Sequence, residues 1–178
     1  MCRQPATAHG PGRGAATLSL QKQHPTNPEM SQPKNSASAA AIPGNLPLPI
    51  PFIESLGVEL LEMADGRARA TMAPRPEHMN SWAVVHGGVL MTLLDFVMAM
   101  AGRSARPELS RDGATAGGNL TVEMKTTFIR PGKGPLTVTA SCVHAGRSLS
   151  FCEGEIVDDQ GQPVARASGT FKFWQQSS

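Results

Sequence analysis

The spacing of apolar residues along the chain changes character twice. Residues 58–72 alternate between apolar and polar positions on both sides of an Asp65-Gly66 turn, which predicts two paired strands. The segment 88–103 is apolar at almost every position, which predicts a helix that is buried on all sides. Beyond residue 118 the alternation returns in four segments separated by turns rich in Gly and Pro, which predicts four more strands.

The order of these elements indicates the fold class. The connections between the last four strands are too short for parallel crossovers, so we expect an antiparallel sheet. Two strands, one long helix and four strands predict an α+β fold in which an antiparallel sheet wraps around one central helix. We expect this domain over residues 46–178. A single-layer sheet with an exposed edge strand favours pairing with a second copy of the chain.

The first 45 residues have a different composition. They are rich in Pro, Gly, Ser, Ala, Gln and Asn and show neither a helical nor an alternating pattern. Such a segment cannot bury enough apolar surface to offset the entropy of ordering it, so we expect a disordered N-terminal extension over residues 1–45. A mitochondrial transit peptide is the weaker alternative, because acidic residues are scarce before Glu29 but no amphipathic face is visible.

Charge and cysteine content exclude several classes of function. The net charge of +2 is too small to indicate a nucleic-acid partner, and no apolar run reaches the ~20 residues of a membrane span. Cys142 and Cys152 flank a predicted hairpin centred near Arg147, and we expect them to face each other as thiols. Neither the number nor the spacing of cysteines indicates zinc, so we expect no metal site.

One carboxylate, Asp95, lies within the apolar helical segment. A buried carboxylate costs several kcal/mol unless it is paired or has a chemical role. Gly87 and Gly88 lie where the helix begins, and free backbone N–H groups there favour developing negative charge. Gly88 and Asp95 are seven positions apart and so share a helical face. Together they suit acyl transfer from an activated carbonyl. Alternatively, Gly-Gly is only a tight turn and a neighbouring backbone group holds Asp95.

The segment HGGVLMTLLD, residues 86–95, resembles the signature of hotdog-fold acyl-CoA thioesterases of the phenylacetyl-CoA type. The resemblance covers residues 46–174 and includes VEMKTTFIRPG in the third strand. It implies hydrolysis of an acyl-CoA thioester to free acid and coenzyme A. It also implies a cytoplasmic enzyme that needs no cofactor, because coenzyme A is part of the substrate.

The family's site residues map onto this chain one by one. Gly87 resembles the glycine whose N–H polarises the thioester carbonyl, and Asn80 resembles the Asn that assists it. Asp95 resembles the general base or nucleophile, and both roles stay open. Thr121 stands where some relatives hold a Ser that positions water or the Asp. His86 belongs to the same motif, and we expect it to hydrogen-bond a loop rather than act as the base.

The resemblance further implies a site shared between two chains in a homodimer or a homotetramer. The nucleotide end of coenzyme A needs cations and N–H groups. Arg147 and Gly146 in the predicted hairpin turn are the first candidates for that role, and Arg130 is the second. Gly88 is a further candidate for binding the substrate. The alternative from another class is a non-catalytic domain that binds or senses acyl-CoA.

Overall fold

A computed structural model describes residues 49–107 and 117–175 of the protein. The predicted extension over residues 1–45 lies outside these ranges, as does part of the loop that follows the long helix. Within them, the elements follow the predicted order. They are α1 (Pro51–Ser55), β1 (Val58–Ala64), β2 (Arg67–Met72), a 3₁₀ turn (Pro76–His78), α2 (Gly87–Ser104), β3 (Gly117–Phe128), β4 (Leu136–Ala145), β5 (Leu149–Val157) and β6 (Pro163–Gln175).

The strands form one six-stranded antiparallel sheet in the order β1-β2-β4-β5-β6-β3, which confirms the predicted fold class. The turn between β1 and β2 has φ of +49° at Asp65 and +74° at Gly66. Two consecutive positive φ angles define the hairpin turn that Asp-Gly favours, which confirms the predicted turn between the first two strands. The strands β1 and β3 are the two edges of the sheet.

The sheet wraps around α2, which contacts all six strands. The close approach depends on small residues on the inner face of the sheet, where Ala70 and Ala140 are buried. At Gly154 an added Cβ would lie 3.1 Å from Met98 Cγ and 3.2 Å from Leu94 Cδ2. The large apolar side chains of the helix therefore fill the space that small residues on the strands leave open. No helix in the described ranges is long and apolar enough to cross a membrane.

The prediction that α2 is buried on all sides is wrong along one stripe. Met91 is 38% exposed, Gly88 is exposed and Asp95 is half-buried. The reason is that the six strands of the described ranges do not enclose the helix completely. Beyond the edge strand β3, no further strand of these ranges covers it. We call this surface the open stripe; its members follow one another at helical spacing and are Gly88, Met91, Thr92, Asp95 and Ala99.

The edge strand β3 contains a β-bulge. Thr121 pairs with Phe171 and Glu123 pairs with Thr170, so Val122 is an extra residue in the ladder. In an unbroken strand, Thr121 and Met124 would lie on opposite faces, because side chains alternate. The bulge reverses the alternation and turns Thr121 towards α2, the side on which Met124 packs against the core.

Cys142 and Cys152 are direct cross-strand partners on β4 and β5, and both are free thiols, as predicted. Burial, reinforced by the neighbouring Cys142, raises the pKa of Cys152 to about 12. A thiol with so high a pKa is a poor nucleophile at neutral pH, so Cys152 packs in the core and is not a candidate for covalent chemistry.

Gly102 gives a test of how tightly α2 is packed. An added Cβ would lie 2.5 Å from Asn119 Nδ2 and 2.7 Å from Ser150 Oγ. Gly102→Ala should therefore lower the melting temperature by several degrees, because overpacking by about 1–3 kcal/mol outweighs the gain of about 1 kcal/mol in helix propensity. At Gly118 nothing lies within 4 Å of an added Cβ, so Gly118→Ala is the matched control. Equal melting temperatures for the two variants would contradict this packing.

Candidate active site

The start of α2 offers one free backbone donor. His86 is the N-cap residue, and its Nδ1 accepts the Gly88 N–H at 2.9 Å. The Val89 and Leu90 N–H groups donate to the His86 carbonyl. The Gly87 N–H has no hydrogen-bond partner in the described part of the chain. Of the two donors expected from Gly-Gly, only Gly87 remains available, because the His86 ring already occupies Gly88.

An aromatic ring borders this donor. Phe128, at the end of β3, lies so close that a Cβ added to Gly87 would be 3.3 Å from its Cζ atom. The Phe128 side chain is 51% exposed, so it forms one wall of an open approach to Gly87. Sequence reasoning missed Phe128, because alternation along a strand does not reveal that its last residue covers a helix start.

Asn80 lies in a compact loop directly before α2. Its Oδ1 accepts the Trp82 N–H at 2.9 Å and the Val84 N–H at 3.4 Å. Within this loop Ala83 has φ of +54°, a conformation that costs a non-glycine residue about 1 kcal/mol or more. The side-chain oxygen of Asn80 thus holds the loop together, and its amide NH₂ makes no hydrogen bond within the described ranges.

Asp95 and Thr121 form the second polar group of the site. The Thr121 hydroxyl donates to Asp95 Oδ1 at 2.7 Å, across the space between α2 and the edge strand β3. This contact depends on two features. Asp95 lies on the open stripe of α2, and the bulge at Val122 turns Thr121 towards that helix. Asp95 is half-buried rather than fully buried, so the charge has solvent on one side and a hydroxyl on the other.

Gly87 and Asp95 do not converge within one chain. They are eight residues apart on α2, and eight residues of α-helix span about 12 Å along the axis. A donor to a carbonyl oxygen and a base acting on the same carbonyl carbon must each lie within ~3–3.5 Å of the reacting atoms. Gly87 and Asp95 of one chain therefore cannot act on the same carbonyl group.

The structure places the coenzyme A candidates at opposite ends of the sheet. Arg130 pairs through its backbone with Val164 at the start of β6, whereas Ser148, beside Arg147, pairs with Phe173 near its end. Nine residues of strand separate these points by about 30 Å. One chain therefore does not bring the two arginines together.

The immediate contacts of these candidates also differ. Arg130 Nη1 donates to Gln162 Oε1 at 2.9 Å, whereas the exposed Arg147 makes no hydrogen bond or ion pair within the described ranges. Both backbone groups of Gly146 are occupied, since its N–H donates to Leu149 and its carbonyl accepts Arg106 Nη1. The Gly146 N–H is therefore not free to bind a ligand, whereas the Arg147 guanidinium has no partner in these ranges.

Comparison with known proteins agrees with this fold. Residues 83–165 match the family model described as Thioesterase superfamily. The chain is 30% identical over 125 residues to the protein Rv1847 of Mycobacterium tuberculosis, covering 70% of this chain and 86% of that protein. It is also 30% identical over 118 residues to the acyl-coenzyme A thioesterase PaaI of Escherichia coli, covering 65% of this chain and 77% of that protein.

Solved structures give the same result. The protein PA5202 of Pseudomonas aeruginosa superimposes with a TM-score of 0.64 at 27% identity, over 72% of this chain and 97% of that one. The E. coli PaaI protein, from the phenylacetic acid degradation operon, gives a TM-score of 0.60 at 26% identity, over 71% of this chain and 85% of that one. The chain belongs to the thioesterase superfamily and has the hotdog fold. This family is one of hydrolases.

Proposed function

We propose that the protein hydrolyses an acyl-CoA thioester to the free acid and coenzyme A. The observation that carries this proposal is that one helix of a thioesterase fold holds both a free N–H, at Gly87, and a carboxylate, at Asp95, that accepts the Thr121 hydroxyl. The relative that acts on acyl-coenzyme A supports the choice of substrate class.

Each group has a defined role in the reaction. The Gly87 N–H donates to the thioester carbonyl oxygen and stabilises the negative charge that develops there. The Asn80 amide adds a second donor. Asp95 either deprotonates a water that attacks the carbonyl carbon, or attacks that carbon itself to form a mixed anhydride that a water then hydrolyses. In both routes the C–S bond breaks, coenzyme A leaves as the thiolate, and the proton released from water neutralises the thiolate. Thr121 fixes the carboxylate through its 2.7 Å hydrogen bond. The reaction needs only water and the substrate, so no cofactor is required.

The working site requires two chains. Because Gly87 and Asp95 are about 12 Å apart on one helix, the Asp95 that serves a given Gly87 comes from a second copy. The edge of β3 is unpaired, and its Leu120 and Val122 are 53% and 59% exposed. A two-fold pairing along this edge would cover them and bring two open stripes together. The functional unit is therefore a homodimer at least, and a homotetramer is two such dimers.

The direct test of the proposed function is thiol release from a panel of acyl-CoAs. The panel runs from phenylacetyl and benzoyl to short, medium and long acyl chains, and a thiol reagent follows free coenzyme A. We expect turnover that saturates with at least one member. Saturable binding without turnover for every member would instead favour a protein that senses acyl-CoA.

The role of the Gly87 N–H can be isolated with two substitutions. Gly87 is the first residue of α2, where proline is well tolerated, and His86 has φ −61° and ψ +137°, which is compatible with a following proline. Gly87→Pro should lower kcat by about 10²–10³-fold by removing the donor. Gly87→Ala keeps the N–H and adds only a Cβ against Phe128, so its loss should be clearly smaller. Equal losses would show that crowding, not the donor, matters.

Mixing two inactive variants tests the shared site. Asp95→Asn should lower kcat by about 10²-fold or more, with little change in melting temperature. Refolding Asp95→Asn together with Gly87→Pro should restore about a quarter of the wild-type activity, because half of the dimers are mixed and each holds one intact site. A mixture no more active than the mean of its components would contradict a site built from two chains.

A further inference from the structure

The segment between the 3₁₀ turn and α2 forms a closed loop, residues 78–86. Met79 and Val85 form an isolated antiparallel bridge, and the His86 N–H donates to the His78 carbonyl at 2.9 Å. The loop holds Asn80 and ends next to Gly87. Both proposed donors to the thioester therefore depend on one short piece of backbone, whose two ends meet at His78.

His78 is unusual for a histidine, because it is only 2% exposed. Its Nδ1 accepts the backbone N–H of Arg75 at 3.1 Å. Since Nδ1 acts as the acceptor, hydrogen-bond geometry assigns the proton of the neutral ring to Nε2. The ring is thus held by a directional contact and not by packing alone, and a replacement that lacks an acceptor at this point would leave the Arg75 N–H without a partner.

The Arg75 side chain holds the same region from outside. Its Nε donates to Glu77 Oε1 at 2.6 Å, and its Nη2 donates to the Ser55 carbonyl at the end of α1. The base of the 78–86 loop is therefore connected to α1 through Arg75 and to the start of α2 through the His78 carbonyl.

We propose that His78 is a positioning residue for the Gly87 donor and the Asn80 amide. This inference rests on the proposed function, because it concerns how those two groups are aimed. His78 does not reach the substrate; it acts through the bond from the His86 N–H to its carbonyl and through the Nδ1 contact that fixes its own backbone. A displacement of about 1 Å at such donors can cost about 10²-fold in rate, which is why a remote histidine can control turnover.

Two amide substitutions separate this role from simple packing. The side-chain oxygen of Asn stands close to where Nδ1 of His stands, whereas the amide of Gln reaches the position of Nε2. His78→Asn should therefore keep the acceptor for the Arg75 N–H and retain kcat within a few-fold. The Gln side chain is one methylene longer than that of Asn, so His78→Gln places the amide away from the Arg75 N–H. This variant should lower kcat by about 10–10²-fold with KM little changed, because the Gly87 and Asn80 donors act on the transition state.

A second readout does not depend on turnover. In His78→Gln, hydrogen exchange of peptides covering residues 78–90 should accelerate by about tenfold or more, whereas His78→Asn should match the wild type. Equal kcat and equal exchange for the two variants would overturn the positioning role. Slower turnover in Gln alone, with dimer size unchanged, supports it. A wild-type protein that releases no thiol would defeat the proposed function, and the exchange comparison would still decide whether His78 orders the loop.

Discussion

The packing of α2 into a sheet too narrow to enclose it is the constraint on which the rest of the structure depends. Small residues on the inner face of the sheet let the strands approach the helix closely, as Gly154 does against Leu94 and Met98. Six strands nevertheless leave the open stripe uncovered. The apolar surface that remains along β3 and the polar groups of the candidate site therefore lie on the same side of the molecule. The proposed assembly and the proposed chemistry are linked because both follow from one incomplete enclosure.

The two polar features of the candidate site are built by different means. At the start of α2, His86 removes Gly88 from the set of donors and leaves Gly87, so the cap selects a single N–H. Two turns further along, the Asp95 carboxylate is fixed by a hydroxyl that comes from the edge strand. Neither feature is strained in itself, and each uses an ordinary device of secondary structure. Their separation along the helix axis is the reason that the proposed reaction needs a second chain.

Much of the architecture could be predicted from the sequence, because its signals are local. The Asp65-Gly66 turn, the apolar run of α2 and the facing cysteines depend on residues close together or in matching register. The predicted complete burial of the helix failed because apolar periodicity does not state how many strands are present to cover it. The family resemblance suggested that Thr121 positions water or Asp95, but it did not reveal the bulge at Val122 that turns Thr121 towards the helix.

The details of the site were harder to predict, since they depend on how individual hydrogen bonds are distributed. The sequence HGG shows two candidate donors, yet the ring of His86 decides that one is occupied. The sequence around Gly146 predicts an open turn, yet the Gly146 N–H donates to Leu149 and its carbonyl accepts Arg106, forty residues earlier in the chain. Such competition among neighbours is settled only in three dimensions, after the fold has brought the groups together.

The bulge at Val122 makes the site depend on the length of β3 as well as on its composition. A substitution at this residue alters one outward-facing side chain and keeps the frame of the strand. Loss of the residue would instead shift every position on its N-terminal side by one, so that Thr121 would turn to the outer face and Leu120 to the helix. During divergence, this stretch of edge strand is therefore expected to accept many changes of residue type but few changes in residue number. For the site, the number of residues in this strand therefore matters more than their identity.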